Sequence, residues 1–137
     1  MGIYDAMNRS LADLKDEQWV LYLNAGDVFS DDDSAEFLLQ GIANTSASWC
    51  YSPIIVVETD GTVRGIPASR PFSVTNYAFR HTRIGHQAAV AKVGAMRAAG
   101  LFRLDMPNCA DFDMMLRLGI QAHPEEWSRH FTIYEDD

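Results

Sequence analysis

The run Trp19-Val20-Leu21-Tyr22-Leu23 is the feature that most limits what this chain can fold into. It sits between a polar break, Lys15-Asp16-Glu17-Gln18, and the turn-forming stretch Asn24-Ala25-Gly26-Asp27. An apolar run bounded by such signals reads as a buried strand. The strand then ends in a carboxylate on a Gly-softened turn, which is a favourable place to hold a hard cation and a phosphate. Mg²⁺ prefers oxygen ligands and often takes only one or two protein carboxylates, with substrate phosphates and water completing its shell. The plainer reading is an ordinary Asn/Gly/Asp turn after a strand.

The other bulk features narrow the classes open to the chain. Its 137 residues correspond to one domain, and a hydrophobic content of 47% is enough to build a core. A formal charge of −8 argues against binding through a nucleic-acid backbone, which requires clustered Lys and Arg. It gives no help at an anionic membrane surface either. A chain this acidic that handles a diphosphate must bring in positive charge locally, most economically as a metal ion. Cys50 and Cys109 form no CxxC and have no His spacing that suggests zinc, so both read as reduced packing residues. No leader peptide or stretch of 18 apolar residues is evident. The chain therefore reads as cytoplasmic, a location compatible with docking on a membrane face through a partner.

Mixed helical and strand patterns in one unit predict an α/β fold. Tyr4, Met7, Leu11 and Leu14 recur at helical spacing, with Asp5 as the expected cap. Asp31-Asp32-Asp33 opens a second helix through Phe37, Leu38 and Ile42, where acids favour the macrodipole. The EF-hand spacing is absent, so these acids read as capping and solvated. Trp49 to Thr59 contains the β-branched run Ile54-Ile55-Val56-Val57, a buried strand. Asp60-Gly61 turns it back through Thr62 to Ile66. Pro67 to Gly85 reads as a loop carrying Arg70, Arg80 and Arg83. A short strand over Gln87 to Ala91 follows, then a helix over Val93 to Ala99 that stops at Gly100. The last helix spans Ala110 to Leu118 with Phe112, Met115 and Leu116 inward, and Phe131 to Tyr134 forms a terminal strand.

A second cluster, Ala110-Asp111-Phe112-Asp113, places two carboxylates on the first turn of that last helix, pointing in different directions. Asp111 can face a cleft while Asp113 caps the helix or pairs with Arg117 four residues on. A carboxylate at a cleft can take a proton from an attacking hydroxyl if desolvation keeps its pKa high. Both acids also fit the plain role of helix-start residues.

Four segments stand in sequence order: Gly2-Ile3-Tyr4-Asp5-Ala6-Met7-Asn8, Leu23-Asn24-Ala25-Gly26-Asp27, His86-Gln87, and Asp111 to Leu118. Together they resemble the family-2 glycosyltransferases of the GT-A fold, over nearly the whole chain. The resemblance implies the second half of a GT-A, Rossmann-like nucleotide-diphospho-sugar transferase domain, with a mixed sheet flanked by helices. It implies that Asp27 ligates a divalent metal, Mg²⁺ or Mn²⁺, bridging the donor diphosphate. Asn24 and Gly26 stand where many relatives carry further acids, so metal binding rests mainly on Asp27. Asp111 matches the general base acting on the acceptor hydroxyl. Tyr4 to Asn8 resemble the wall of the nucleotide pocket, with Asp5 or Asn8 touching the donor. His86 and Gln87 fall near the acceptor or the leaving diphosphate; Arg80 and Arg83 could neutralise phosphate, and as loop arginines they equally read as solvated. The implied reaction is an inverting sugar transfer from a nucleotide-sugar donor to a saccharide or lipid-linked acceptor, of the kind used in polysaccharide biosynthesis.

The chain departs from that family at its start. Members open with βα units that hold the base and ribose, and an acid precedes the Gly-Ile-Tyr-Asp segment; here Met1 stands directly before Gly2. On this resemblance the chain is expected to be a domain lacking its N-terminal nucleotide-binding part, weak or inactive alone. Trp19 to Leu23 is then expected to be a central strand with one open apolar edge, inviting self-association or a partner that supplies the strands. The competing expectation is a non-catalytic remnant that serves as an interaction or regulatory subunit.

Overall fold

A computed structural model describes residues 2–67 and 71–135. Arg70 and the acidic pair Asp136-Asp137 lie outside the described residues. The chain runs α1 (Ile3–Ser10), β1 (Trp19–Val20), β2 (Val28–Phe29), α2 (Ser34–Asn44), β3 (Trp49–Tyr51), β4 (Ile54–Val57) and β5 (Val63–Ile66). It continues through α3 (Val74–Ala78), a 3₁₀ turn (His86–Ala88), β6 (Ala89–Lys92), α4 (Val93–Ala98), α5 (Ala110–Gln121), β7 (Glu125–Glu126) and β8 (Thr132–Glu135). The fold is thus mixed α/β, built on two mixed four-stranded sheets in the orders β1-β6-β3-β7 and β2-β8-β4-β5.

The two sheets part at Ser52-Pro53. Trp49 to Thr59 reads as one strand region, but the chain leaves the first sheet after Tyr51 and enters the second at Ile54. Pro53 has no N–H to give to a ladder, so it suits a point where a strand changes sheets. β3 pairs antiparallel with β6 and parallel with β7, while β4 pairs antiparallel with β5 and parallel with β8. The Asp60-Gly61 turn closes the β4–β5 hairpin as expected, with Thr62 N–H donating to Asp60 Oδ1 at 2.8 Å.

β1 is shorter than the apolar run suggested, and it lies at the edge of its sheet rather than at the centre. Trp19 and Val20 pair with Lys92 and Ala91. Beyond them the chain is tied to α1 instead: the Tyr22 hydroxyl donates to the Met7 carbonyl at 2.9 Å. The side of β1 away from β6 has no strand neighbour among the described residues.

The main core lies between the first sheet and helices α1, α3, α4 and α5. Trp49, Tyr51, Phe72, Tyr77, Met114 and Leu118 meet there, all buried. Each fully buried side chain of this size contributes about 1.5–3 kcal/mol relative to exposure. On α5 the buried face is Met114, Met115, Leu118 and Gly119, while Phe112 and Leu116 are half-buried against it. A second cluster packs Leu38 of α2 against Cys50, Val90, Trp127 and Phe131. Cys50 is fully buried, and both cysteines are free thiols.

Several local expectations change at the termini of elements. α1 ends at Ser10, and its N-cap is Gly2 without a side-chain cap bond. Asp5 pairs with Arg9 at 3.0 Å one turn on instead of capping. At the start of α2, Asp31 does the work expected of the acidic run: it accepts from Asp33 N–H and from the Ser34 hydroxyl, and Arg129 binds both its oxygens. The stretch expected to be loop contains α3, capped by the Ser73 hydroxyl accepting from Asn76 N–H at 3.2 Å.

Candidate functional site

Two arginines fix the platform that carries the site. Arg97 of α4 donates to the carbonyls of Leu11 and Leu14 at 2.7 and 2.8 Å, holding the end of α1. Arg117 of α5 pairs with Asp113 at 2.6 Å, as the sequence spacing implied. It also donates to the carbonyls of Ala99 and Leu101. With Asp113 committed to Arg117, Asp111 is the acid of that first turn left to face outward from the helix.

Asn8 joins the same scaffold. Its amide donates to the Phe102 carbonyl and accepts from the Phe102 N–H, both at 2.9 Å. Phe102 in turn stacks on Tyr4 with ring centroids 5.5 Å apart. Asn8 and Asp5 are therefore used within α1 and its packing, and neither touches Asp111.

Tyr4, Asp111, His86, Asn24 and Asp27 form one hydrogen-bonded line. The Tyr4 hydroxyl donates to Asp111 Oδ1 at 3.0 Å, and His86 Nδ1 lies 3.2 Å from Asp111 Oδ2. On the other side of the ring, His86 Nε2 is 3.0 Å from the Asn24 amide nitrogen. Asn24 N–H donates to Asp27 Oδ2 at 2.7 Å. The carboxylate accepts, so a neutral His86 carries its proton on Nδ1 and accepts at Nε2 from the Asn24 amide. These residues come from α1, the turn after β1, the 3₁₀ turn before β6, and the first turn of α5.

The electrostatics of Asp111 differ from the expectation that desolvation lifts its pKa. Burial does push it up, but the hydrogen bond from His86, the Phe112 N–H, the proximity of His86 and the Tyr4 hydroxyl together outweigh it. The net result is a carboxyl held below its ordinary value and ionised at neutral pH. Tyr4 moves the opposite way: burial first, then the Asp111 charge, push its hydroxyl up to about 12, so it stays a donor. Tyr77 is raised for the same two reasons, burial and then Asp111.

In the middle of this line, Asp111 and His86 open into a cavity of about 470 Å³. Ile54, Val56 and Ile66 form one wall, and Phe112 and Met115 form another. Arg64, Arg80 and Arg83 also line it. Gln87 lines it too, although its residue is only 5% exposed. Tyr4, Asn24 and Asp27 do not line it. The cavity thus brings together His86, Gln87 and Asp111, while the Asp27 turn is reached through the Asn24 side chain. Arg64 and Ile66 were missed as site residues because they sit on a hairpin strand whose pattern only reports pairing.

Two carboxylates stand at the Asp27 turn among the described residues, Asp27 itself and Glu135, whose Oε2 lies 3.9 Å from where a Gly26 Cβ would stand. No group of three or more His, Cys, Asp or Glu converges among the described residues. Oδ2 of Asp27 accepts from Asn24 N–H, which leaves Oδ1 and the second lone pair of Oδ2 to meet an ion. One or two carboxylates with substrate oxygens and water is an accepted arrangement for Mg²⁺. Gly26, at φ +95°, gives the turn the left-handed backbone that brings Asp27 back toward Asn24.

No protein-family model matches this chain, and no curated protein gives a significant match to it. No described helix is long and apolar enough to cross a membrane.

Proposed function

We propose that the chain is the second half of a GT-A-type glycosyltransferase domain, transferring a sugar from a nucleotide-diphosphate donor to an acceptor hydroxyl with inversion. The observation that carries this reading is Asp111 held between Tyr4 and His86 at the wall of a cavity. Such a carboxylate is fixed in rotamer, ionised and open to a ligand on one side.

In this reading the acceptor hydroxyl lies in the cavity against Asp111. Asp111 takes its proton as the hydroxyl oxygen bonds to the anomeric carbon. The bond from that carbon to the diphosphate oxygen breaks, and its electron pair leaves with the nucleoside diphosphate. Asp27, with donor oxygens, would hold Mg²⁺ or Mn²⁺, which supplies charge stabilisation to a leaving diphosphate. Tyr4 and His86 keep the Asp111 carboxylate aimed, and Asn24 fixes the His86 ring. A carboxylate with a lowered pKa is a weak base, so placement accounts for more of its effect than basicity.

The test is donor turnover by the purified chain across a panel of nucleotide sugars with Mn²⁺ and a saccharide acceptor mixture. Asp27→Ala and Asp111→Asn should each lower turnover by about 10²-fold or more. Wild-type protein that neither turns over donor nor binds any nucleoside diphosphate with Mn²⁺ would refute the transferase reading. It would favour a non-catalytic interaction or regulatory module. The use of Asp5, Asn8 and Asn24 in internal contacts is the observation on that side.

A further inference from the structure

The cavity beside Asp111 has a charge balance opposite to that of the chain around it. The chain carries 11 Lys and Arg against 19 Asp and Glu. The cavity lining nevertheless holds Arg64, Arg80 and Arg83, with Asp111 as the carboxylate among its lining residues. Arg64 is matched by Glu58 at 2.6 Å. Arg80 places its guanidinium 4.8 Å over the Phe112 ring, a contact that orients the cation without neutralising it. Neither Arg80 nor Arg83 has a carboxylate partner among the described residues. Both are exposed at the cavity, on the segment joining α3 to the 3₁₀ turn of His86.

Position decides which substrate these arginines would meet. The line from Tyr4 to Asp27 meets the cavity in its middle, through Asp111 and His86, and both of its ends lie outside the lining. Asp27, on the leaving-group side, does not line the cavity, whereas Asp111 and His86 do. The cavity is therefore on the side where the attacking hydroxyl has to lie. Its walls of Ile54, Val56, Ile66 and Met115 cover an apolar face, and its two guanidinium groups without a carboxylate partner offer donors to a negatively charged group.

We propose that this cavity is the acceptor site, and that the acceptor bears a phosphate group held by Arg80 and Arg83 while a hydroxyl faces Asp111. The inference rests on the transferase reading for its chemistry, since only a transfer reaction needs an acceptor here. Two guanidinium groups match a phosphate dianion in charge and present forked donors suited to its oxygens. The phosphate could belong to a soluble sugar phosphate or to a lipid-linked one, and both present the same group to the arginines.

Calorimetric titration of the whole chain in EDTA tests the site without any metal. The probes are inorganic phosphate, a hexose 6-phosphate, the free hexose and a short polyprenyl phosphate. The expected result is binding of at least one organic phosphate and none of the free hexose. The variant Arg80→Gln/Arg83→Gln should weaken that binding at least about tenfold, with circular dichroism confirming retained fold. Binding of the hexose phosphate alone points to a soluble acceptor, and binding of the polyprenyl phosphate alone to a lipid-linked one. Absence of phosphate binding, or binding unchanged in the double variant, overturns the proposal. A parallel titration of nucleoside diphosphate with Mn²⁺ separates the two ideas. Asp27→Ala should abolish that binding and leave the phosphate probe unaffected, whereas the double arginine variant should show the reverse. Loss of donor binding alone would fail the transferase reading and not the phosphate site.

Discussion

His86 spends both ring nitrogens in holding its neighbours. One side meets Asp111 at 3.2 Å and the other meets the Asn24 amide at 3.0 Å. In the line it is a positioning residue for Asp111, and its hydrogen bond is a chief reason that the carboxyl titrates low. His86→Ala should therefore move the Asp111 pKa upward, toward the value burial alone would give. In the proposed transfer the reacting form is the ionised one, so the acid limb of a pH–rate profile should shift to higher pH. Carboxyl-carbon NMR of Asp111 would follow the same change independently of turnover. An Asp111 signal titrating identically in wild type and His86→Ala would show that the ring does not act on it. Asp111, His86 and the Asp27 turn were legible in the sequence because each lies in a short local pattern. Asn8 was not, because its partner Phe102 lies 94 residues away and nothing local in the sequence announces a reciprocal grip on a distant backbone.

At the scale of elements, the patterns that read correctly were those with enough length for periodicity to show. The α2, α4 and α5 helices and the β4–β5 hairpin follow their predicted spans to within a few residues. The two-residue strands β2 and β7 have no period to read, and they exist only because β8 and β3 lie alongside. α3 is five residues long behind two prolines, too short to separate from loop by pattern. Trp19 to Leu23 misled for a different reason: its apolar character serves packing on α1 as well as pairing with β6. Helix α5 also shows how packing overrides propensity. Gly119 lies in its third turn, where alanine would favour helix by about 1 kcal/mol. A Cβ there would fall 2.6 Å from the Phe72 ring, which is itself buried against Trp49, Tyr51 and Tyr77. Overpacking of a filled core costs about 1–3 kcal/mol. Gly119→Ala should thus be net destabilising by up to about 2 kcal/mol, read as a lower urea midpoint with unchanged slope. A midpoint raised by the substitution would mean that the Phe72 ring gives way freely.

For the molecule as a whole, two electrostatic effects act on stability in opposite directions as pH falls. A net charge of −8 repels itself at neutral pH, and protonation relieves that repulsion. Against this, Asp111 is held below its ordinary value when folded, whereas in the unfolded chain it titrates in the ordinary range. A depressed folded pKa gives stability that is complete above the unfolded value and is lost as pH falls through the folded one. Asp31, lowered chiefly by its hydrogen bond from Arg129, and Asp105, lowered chiefly by Arg103, have the same sign. Both are exposed, so solvent screens their share. Relief of repulsion therefore governs the range from pH 7 to about pH 5, and loss of the paired carboxylates governs below about pH 4. Urea midpoints should stay level or rise slightly over the first range and fall steeply over the second. Added salt should raise the midpoint at pH 7, where repulsion is unrelieved. Asp111→Asn isolates the buried contribution: its stability deficit relative to wild type should be largest near neutrality and shrink as pH falls below about 4, where the wild-type carboxyl takes up its proton. A deficit that stays constant from pH 6 to pH 3 would mean that the ionised Asp111, held by His86 and Tyr4, contributes nothing as a charge, and that the line of residues around it is held by packing alone.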